Sequence, residues 1–370
     1  MSTATTQTRV INDAAESGSR VISLRWIIGA RDDLLWFVGS VATSYLLLAL
    51  YVWGFLPLVW MTLTWAVLID APHVFGTYSR TYFDREERGA RKRLLIGSLV
   101  FFLVGPVLVL AGAGSVFFFV AALWAYYHLV KQHYGFMVLY KKKNADLARA
   151  DNALDRAFLL LAFTYPFVSF VAHDPEALRQ VPPALAGVLG VLEKVLLATT
   201  IVAALAWVGR QVFRAWTRLP LDVPKYLLLA AAIPMHWVVL LTPMPHKPIA
   251  IVAILTIYHN FQYHRLIWFH NQKYGNPDGG GRARYGAAEL ISRRLIYYVA
   301  FGVLFGIWYQ VPRQYANQLM RSQAAGPDTL TQIFSAFLWG YALTHYYLDS
   351  KIWRVRRDPS IGKALRMNQD

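Results

Sequence analysis

Cysteine is absent from the 370 residues, which excludes disulfides, thiolate metal ligands and cysteine nucleophiles. Charge is scarce too. Asp, Glu, Lys and Arg make up 16% of the chain, against roughly a quarter in an ordinary soluble domain. Disorder is excluded from the other direction, because 13 Trp, 21 Tyr and 21 Phe are far more aromatic residues than a disordered chain carries. Acidic residues are few: 21 Asp plus Glu stand against 37 Lys plus Arg, a net charge of +16. Nucleic-acid binders show such an excess on a face of a polar domain. Here 56% of the residues are hydrophobic, so no nucleic-acid partner is expected.

What the chain does have is long apolar runs. A hydrocarbon core of about 30 Å takes about 20 helical residues to cross, and ten stretches qualify: 34–56, 58–82, 94–112, 115–140, 154–172, 184–209, 225–242, 247–270, 290–310 and 330–353. The expectation is an all-α, polytopic membrane helix bundle. Residues 1–33 would form a polar tail and an interfacial segment, with Val21, Ile22, Trp26 and Ile27 facing lipid. Residues 34–353 would form one transmembrane domain and 354–370 a basic tail.

Loops on the cytoplasmic side are enriched in Lys and Arg. With ten spans, one side of the membrane receives the N-terminus, the C-terminus and the segments Arg80–Arg93, Lys141–Arg156, Arg210–Lys225 and Arg265–Arg294. That side carries 31 of the 37 basic residues, while the other has Arg179, Lys247, Arg313 and Arg321. A missed or invented span would scramble this split, so both termini are expected in the cytoplasm, in a bacterial cytoplasmic membrane.

On this topology seven of the ten histidines share one depth, near the cytoplasmic ends of four helices: His73, His128, His133, His259, His264, His270 and His345. Single histidines favour an interface because one end of the ring reaches water. Seven at one level, beside Asp70 and Asp349, point further, since ionisable groups inside spans are costly and mark function. Asp70 and His73 are three apart, and His345 and Asp349 four apart, so each pair shares a helix face. Such a carboxylate either ligates a metal or fixes the tautomer of a ligating His. Tyr127-His128 precedes His133 as Tyr258-His259 precedes His264, giving two H-x4-H boxes offset by 131 residues. Five residues turn an ideal helix by about 140°. A shared target then requires a π-bulge or frayed turn near Gly135, or else a division of each pair between two ions.

Imidazole and carboxylate without sulfur suit iron, zinc, manganese or copper(II). His73, His128, His133, His259, His264 and His345 are the expected metal ligands, with His270, Asp70 and Asp349 as further ligands or supports. Tyr127, Tyr258 and Tyr263 are candidates for contact with bound oxygen species. Six His exceed the needs of one catalytic ion, so iron, as two ions, is the leading cofactor; zinc, copper or haem are alternatives.

The strings His128-x4-His133 and His259-x4-His264-x5-His270 resemble the histidine boxes of integral-membrane desaturases and hydroxylases, non-haem di-iron enzymes. The chain departs from them in having no H-x-x-H-H box and more spans. Its architecture around His73, His128, His133, His259, His264 and His345 is also similar to that of the Brp/Blh-type membrane carotene dioxygenases, whose iron-ligating histidines are distributed over separate helices. Both resemblances imply an oxidoreductase that takes a lipophilic substrate from the bilayer, with O2 and an electron donor as partners. Other readings are a metal- or proton-coupled transporter, which the helix break at Asp70-Ala71-Pro72-His73 would suit although only His236, after Pro234, lies near mid-depth, and a haem-binding or non-catalytic assembly protein. The run Gly275–Gly281 lacks the Walker pattern and reads as a linker.

Overall fold

The structure, a computed structural model, describes residues 22–275, 284–322, 328–355, 359–365 and 367. The polar tail 1–21 with Val21, the glycine run 276–281 and the basic positions 356, 357 and 366 lie outside the described residues. Ten long helices make up the described fold: α1 (Ala30–Val52), α2 (Leu58–Thr81), α3 (Lys92–Leu110), α4 (Gly114–Lys143), α5 (Arg149–His173), α6 (Leu189–Trp216), α7 (Val223–Leu241), α8 (Lys247–His270), α9 (Leu295–Ser322) and α10 (Thr329–Ile352). Strand pairing among the described residues is limited to Ile22–Ser23 beside Leu221–Asp222 and an isolated bridge from Asp84 to Gly286.

Eight of these helices, α1 to α7 and α9, are long and apolar enough to cross a membrane. Their outer faces expose Leu46, Trp60, Leu103, Leu205 and Trp308 at 60–71%, a surface suited to lipid and not to water. The chain is a multi-pass membrane protein. Helices α8 and α10 are 24 residues each but hold no comparably apolar continuous run, because they carry His259, Asn260, Gln262 and His270, and Thr344 and His345. All six of these side chains are buried. A helix wrapped by other helices does not need an apolar surface all round.

Two π-helical stretches set the geometry. In α2 the stretch Ala66–Asp70 runs directly into Ala71-Pro72-His73. Pro72 has no N–H, and its ring clashes with the carbonyl four residues back, so the ladder widens there. Space for the widened backbone comes from α9: a Cβ on Gly306 would sit 2.3 Å from the Val67 carbonyl oxygen, and one on Gly302 would sit 2.7 Å from Pro72 Cβ. In α1 the stretch is Asp33–Gly39. There the Phe37 carbonyl accepts from Tyr258 Oη at 2.5 Å and Gln262 Nε2 at 2.9 Å, both on α8.

In the segment before α1, Ile27 does not face outward as expected. Asp33 gathers the backbone N–H groups of Ile27, Ile28 and Gly29. This folds the segment inward and buries Ile27 to 1% exposure in the core, while Ile22 stays exposed. Asn144, past the end of α4, accepts from Arg25 N at 3.1 Å and from the Ser23 hydroxyl. At the other terminus the described part of 354–370 is not a free tail: Ile361 and Leu365 are buried in the same core.

A buried ionic network ties α4, α5, α6 and α7 at one end. Lys225 Nζ reaches Asp146 at 2.7 Å and Asp155 at 3.1 Å, and Lys141 also binds Asp155. Arg214 meets Asp146 at 2.6 Å, Arg210 meets Asp151 at 2.6 Å, and Trp207 Nε1 donates to Asp155 at 2.8 Å. Burial raises the Asp146 carboxyl, but Lys225, Arg214 and Lys141 outweigh it and hold the carboxyl below its ordinary value. The stabilisation from a lowered carboxyl is complete above the unfolded value of about 3.9 and is lost as pH falls through the lower folded value. Thermal unfolding in detergent should therefore show Tm flat from neutrality to about pH 4 on this account, then falling. Asp155→Asn, which strands buried cations, should cost on the order of 3–5 kcal/mol at pH 7, measured by denaturant titration.

Candidate metal centre

Four histidines from four helices meet inside the bundle: His73 of α2, His128 of α4, His259 of α8 and His345 of α10. The His73 ring centre lies 4.6 Å from that of His345, 4.8 Å from His259 and 6.3 Å from His128. His128 in turn lies 4.8 Å from His345 and 5.1 Å from His259. All four are buried, and each keeps one ring nitrogen without a hydrogen-bond partner: Nδ1 of His73 and His259, and Nε2 of His128 and His345. A buried polar atom left unpaired costs about 1–3 kcal/mol. Four such atoms on rings packed against one another make a destabilised cluster that a cation would relieve.

Ligand nitrogens of His73, His128 and His345 lie within 4.8 Å of one another. Nitrogens each about 2.1 Å from one ion are at most about 4.2 Å apart, so closure needs shifts of roughly half an ångström. The donor set fits a transition metal bound through imidazole.

The proton on His345 is assigned by its neighbours. Its Nδ1 lies 2.8 Å from Thr77 Oγ1, and the Thr77 hydroxyl donates to Asp349 Oδ1 at 2.7 Å. With its one proton committed, the Thr77 oxygen accepts from His345, so Nδ1 carries the ring hydrogen and Nε2 the lone pair. Tyr263 Oη also donates to Asp349 Oδ1 at 2.7 Å, and its ring packs 4.4 Å from that of His73. Tyr346 stacks on His128 at 4.5 Å.

Of the other expected site residues, His264 lies at the edge of the cluster, its ring centre 6.2 Å from that of His73, and the rest fall elsewhere. Both box helices run as unbroken α-helix through the boxes and through Gly135. The expected distortion is absent, and five residues of regular helix turn the second ring of each box away. His264 spends both nitrogens, Nδ1 on Tyr298 Oη and Nε2 on the Ile69 carbonyl, each at 3.1 Å. His133 faces His236 of α7 with ring centres 5.5 Å apart. In that second pair each Nδ1 donates to the carbonyl one turn back, Leu129 and Ala232, and each Nε2 is buried without a partner. His270 packs 5.7 Å from Trp353, Asp70 accepts from Gln310 at 2.7 Å, Tyr258 is held by Phe37, and Tyr127 is 55% exposed.

Thr77, Tyr346 and the pairing of His236 with His133 were not anticipated from sequence. Thr77 had a readable signal, since it sits one turn after His73 on the same face. The other two depend on how separate helices meet.

A cavity of about 560 Å³ opens beside the cluster, with His128, Tyr263, Tyr346 and Asp349 among its lining residues. No protein-family model, curated protein or solved structure matches the chain, so the centre is read on its geometry. Thr77→Val removes the acceptor that holds the His345 ring. Metal affinity, measured by chelator competition, should fall about 10- to 100-fold, while His264→Ala should leave it within about twofold because that ring has no free lone pair.

Proposed function

We propose that the protein is a membrane-embedded oxidoreductase with a histidine-ligated iron, acting with O2 and an electron donor on a lipophilic substrate such as a lipid, isoprenoid or carotenoid. The observation that carries this reading is the convergence of ligand nitrogens of His73, His128 and His345 within 4.8 Å, with the His259 ring packed beside them, next to an apolar-walled cavity. Bound iron supplies the redox chemistry that activates O2 toward a C–H or C=C bond. The chain's own groups do the rest: Thr77 and Asp349 hold the His345 tautomer, Tyr263 keeps the Asp349 carboxylate in place, and the aromatic walls exclude water.

Ligands drawn one each from four helices fit the description of the carotene dioxygenase group, with histidines on separate helices, more closely than the paired-box pattern of desaturases. Ring centres only 4.6–6.3 Å apart leave no clear plane for a macrocycle among them, which favours a bare ion over haem. The ten-span topology belongs to the same proposal, with α8 and α10 also crossing and both termini in the cytoplasm of a bacterial cell; the charge asymmetry of the loops supports it. His73, His128, His259 and His345 are the ligands of this centre.

Protein purified without chelators should hold at least one transition-metal ion per chain by mass spectrometry, predominantly iron. His73→Ala and His345→Ala should each abolish most of that content while His264→Ala retains it. Metal-free wild-type protein that also fails to load iron(II) anaerobically would sink the proposal.

A further inference from the structure

The cavity beside the cluster is apolar along much of its wall, with three cations and the Asp349 carboxylate among its polar lining. Trp124, Tyr134, Leu139, Leu266, Trp353 and Leu365 contribute to the wall, and Lys131, Lys142 and Arg354 add positive charge. Several other cations at this end of the bundle are spent on carboxylates, Lys141, Arg210, Arg214 and Lys225 in the network described above and Lys273 on Asp84, while Arg80 lies buried on the Ile352 carbonyl and the Trp353 ring. Lys131 and Arg354 differ. Lys131 Nζ stands 4.6 Å over the Tyr134 ring, Arg354 Nε donates to the Ser350 carbonyl at 2.8 Å, and among the described residues neither makes an ion pair. Lys131 is half-buried one turn from His128, at the depth of the histidines, so it is not a loop charge serving topology alone.

We propose that this cavity binds a single-chain anionic amphiphile, with its headgroup on Lys131 and Arg354 and its chain against the aromatic wall beside His128. Naming it the substrate rests on the function proposed above; the binding itself does not. Volume sets the single chain, since about 560 Å³ lies in the range of roughly 300–1,000 Å³ that holds one small molecule. Charge sets the headgroup: two cations without carboxylates, in a wall of low polarity, favour an anion over a neutral or cationic head. Asp349, which also lines the cavity, is occupied by Thr77 and Tyr263 and keeps the anion toward the Lys131 end by repulsion.

The test uses full-length protein in neutral detergent and radiolabelled oleate, read by scintillation proximity. Oleate should bind saturably and more tightly than oleyl alcohol or oleylamine by about tenfold or more. The combined substitution Lys131→Gln and Arg354→Gln should erase that preference while metal content stays at the wild-type level, which separates lost headgroup recognition from unfolding. Unlabelled phosphatidylglycerol, an anionic lipid with two chains, should displace oleate at least tenfold less well than unlabelled oleate does. Equal binding of oleate and its alcohol, an intact preference in the double variant, or displacement by phosphatidylglycerol as effective as by oleate would overturn the proposal. Charge-selective oleate binding that persists in metal-free His73→Ala protein would support the cavity assignment even if the oxidoreductase reading failed.

Discussion

Inside a bilayer no water is available to a polar group, so every donor and acceptor must find its partner within the protein. Much of this fold follows from that requirement. The Phe37 carbonyl in the π-turn of α1 is met by two side chains of α8, Asp33 collects three backbone N–H groups, and several charges at one end of α4 to α7 are gathered into one buried network. Buried side-chain atoms of Ser44, Arg80 and Asn260, among others, are left unpaired all the same, and the imidazoles stand out among them by lying side by side. His73, His128, His133, His236, His259 and His345 each keep a bare nitrogen in the interior. In a lipid-embedded bundle such atoms persist only where something else offsets their cost.

The two groups of bare nitrogens differ in kind. The four-histidine cluster is backed by a hydrogen-bonded carboxylate and borders a cavity, features expected of a centre that exchanges ligands. The His133–His236 pair is walled by Phe163, whose ring lies 4.1 Å from that of His236, and each of its histidines is anchored only to its own helix. Desolvation is complete there, with both residues 0% exposed. The first box residues, His128 and His259, go to the cluster, whereas His133 pairs with His236 and His264 sits at the cluster's edge with both nitrogens spent on Tyr298 and the Ile69 carbonyl, so each box serves two surroundings.

Much of the helical layout was legible in the sequence because lipid imposes a length and a composition on any span. The apolar runs map onto the observed helices, and the disturbance at Pro72 was readable from the chemistry of one residue. The site was legible in part. The four histidines that meet lie on helices that the sequence groups by a depth inferred from loop charge. Azimuth could not be read: a rule built on distortion placed His133 and His264 in the centre, whereas regular helix turns His133 toward His236 and leaves His264 at the edge with both nitrogens bonded. His236 was hidden for a related reason, since its partner sits on another helix and no spacing within α7 encodes that meeting. Ile27 was misjudged because Asp33, a residue that looks interfacial in sequence, acts as an internal cap and draws the preceding loop inward.

The widened turn at Ala66–Asp70 holds one residue more than a regular turn would need. Each residue advances a helix by about 100°, so that surplus sets which way everything after it faces. Shortened by one residue, α2 could rewind into an ordinary helix with its composition almost intact, yet His73, Thr77 and their common face would swing away from the other three histidines. The meeting of the four histidines is thus encoded in a count as well as in identities, and deleting one residue of that turn would be as damaging as replacing a histidine of the cluster.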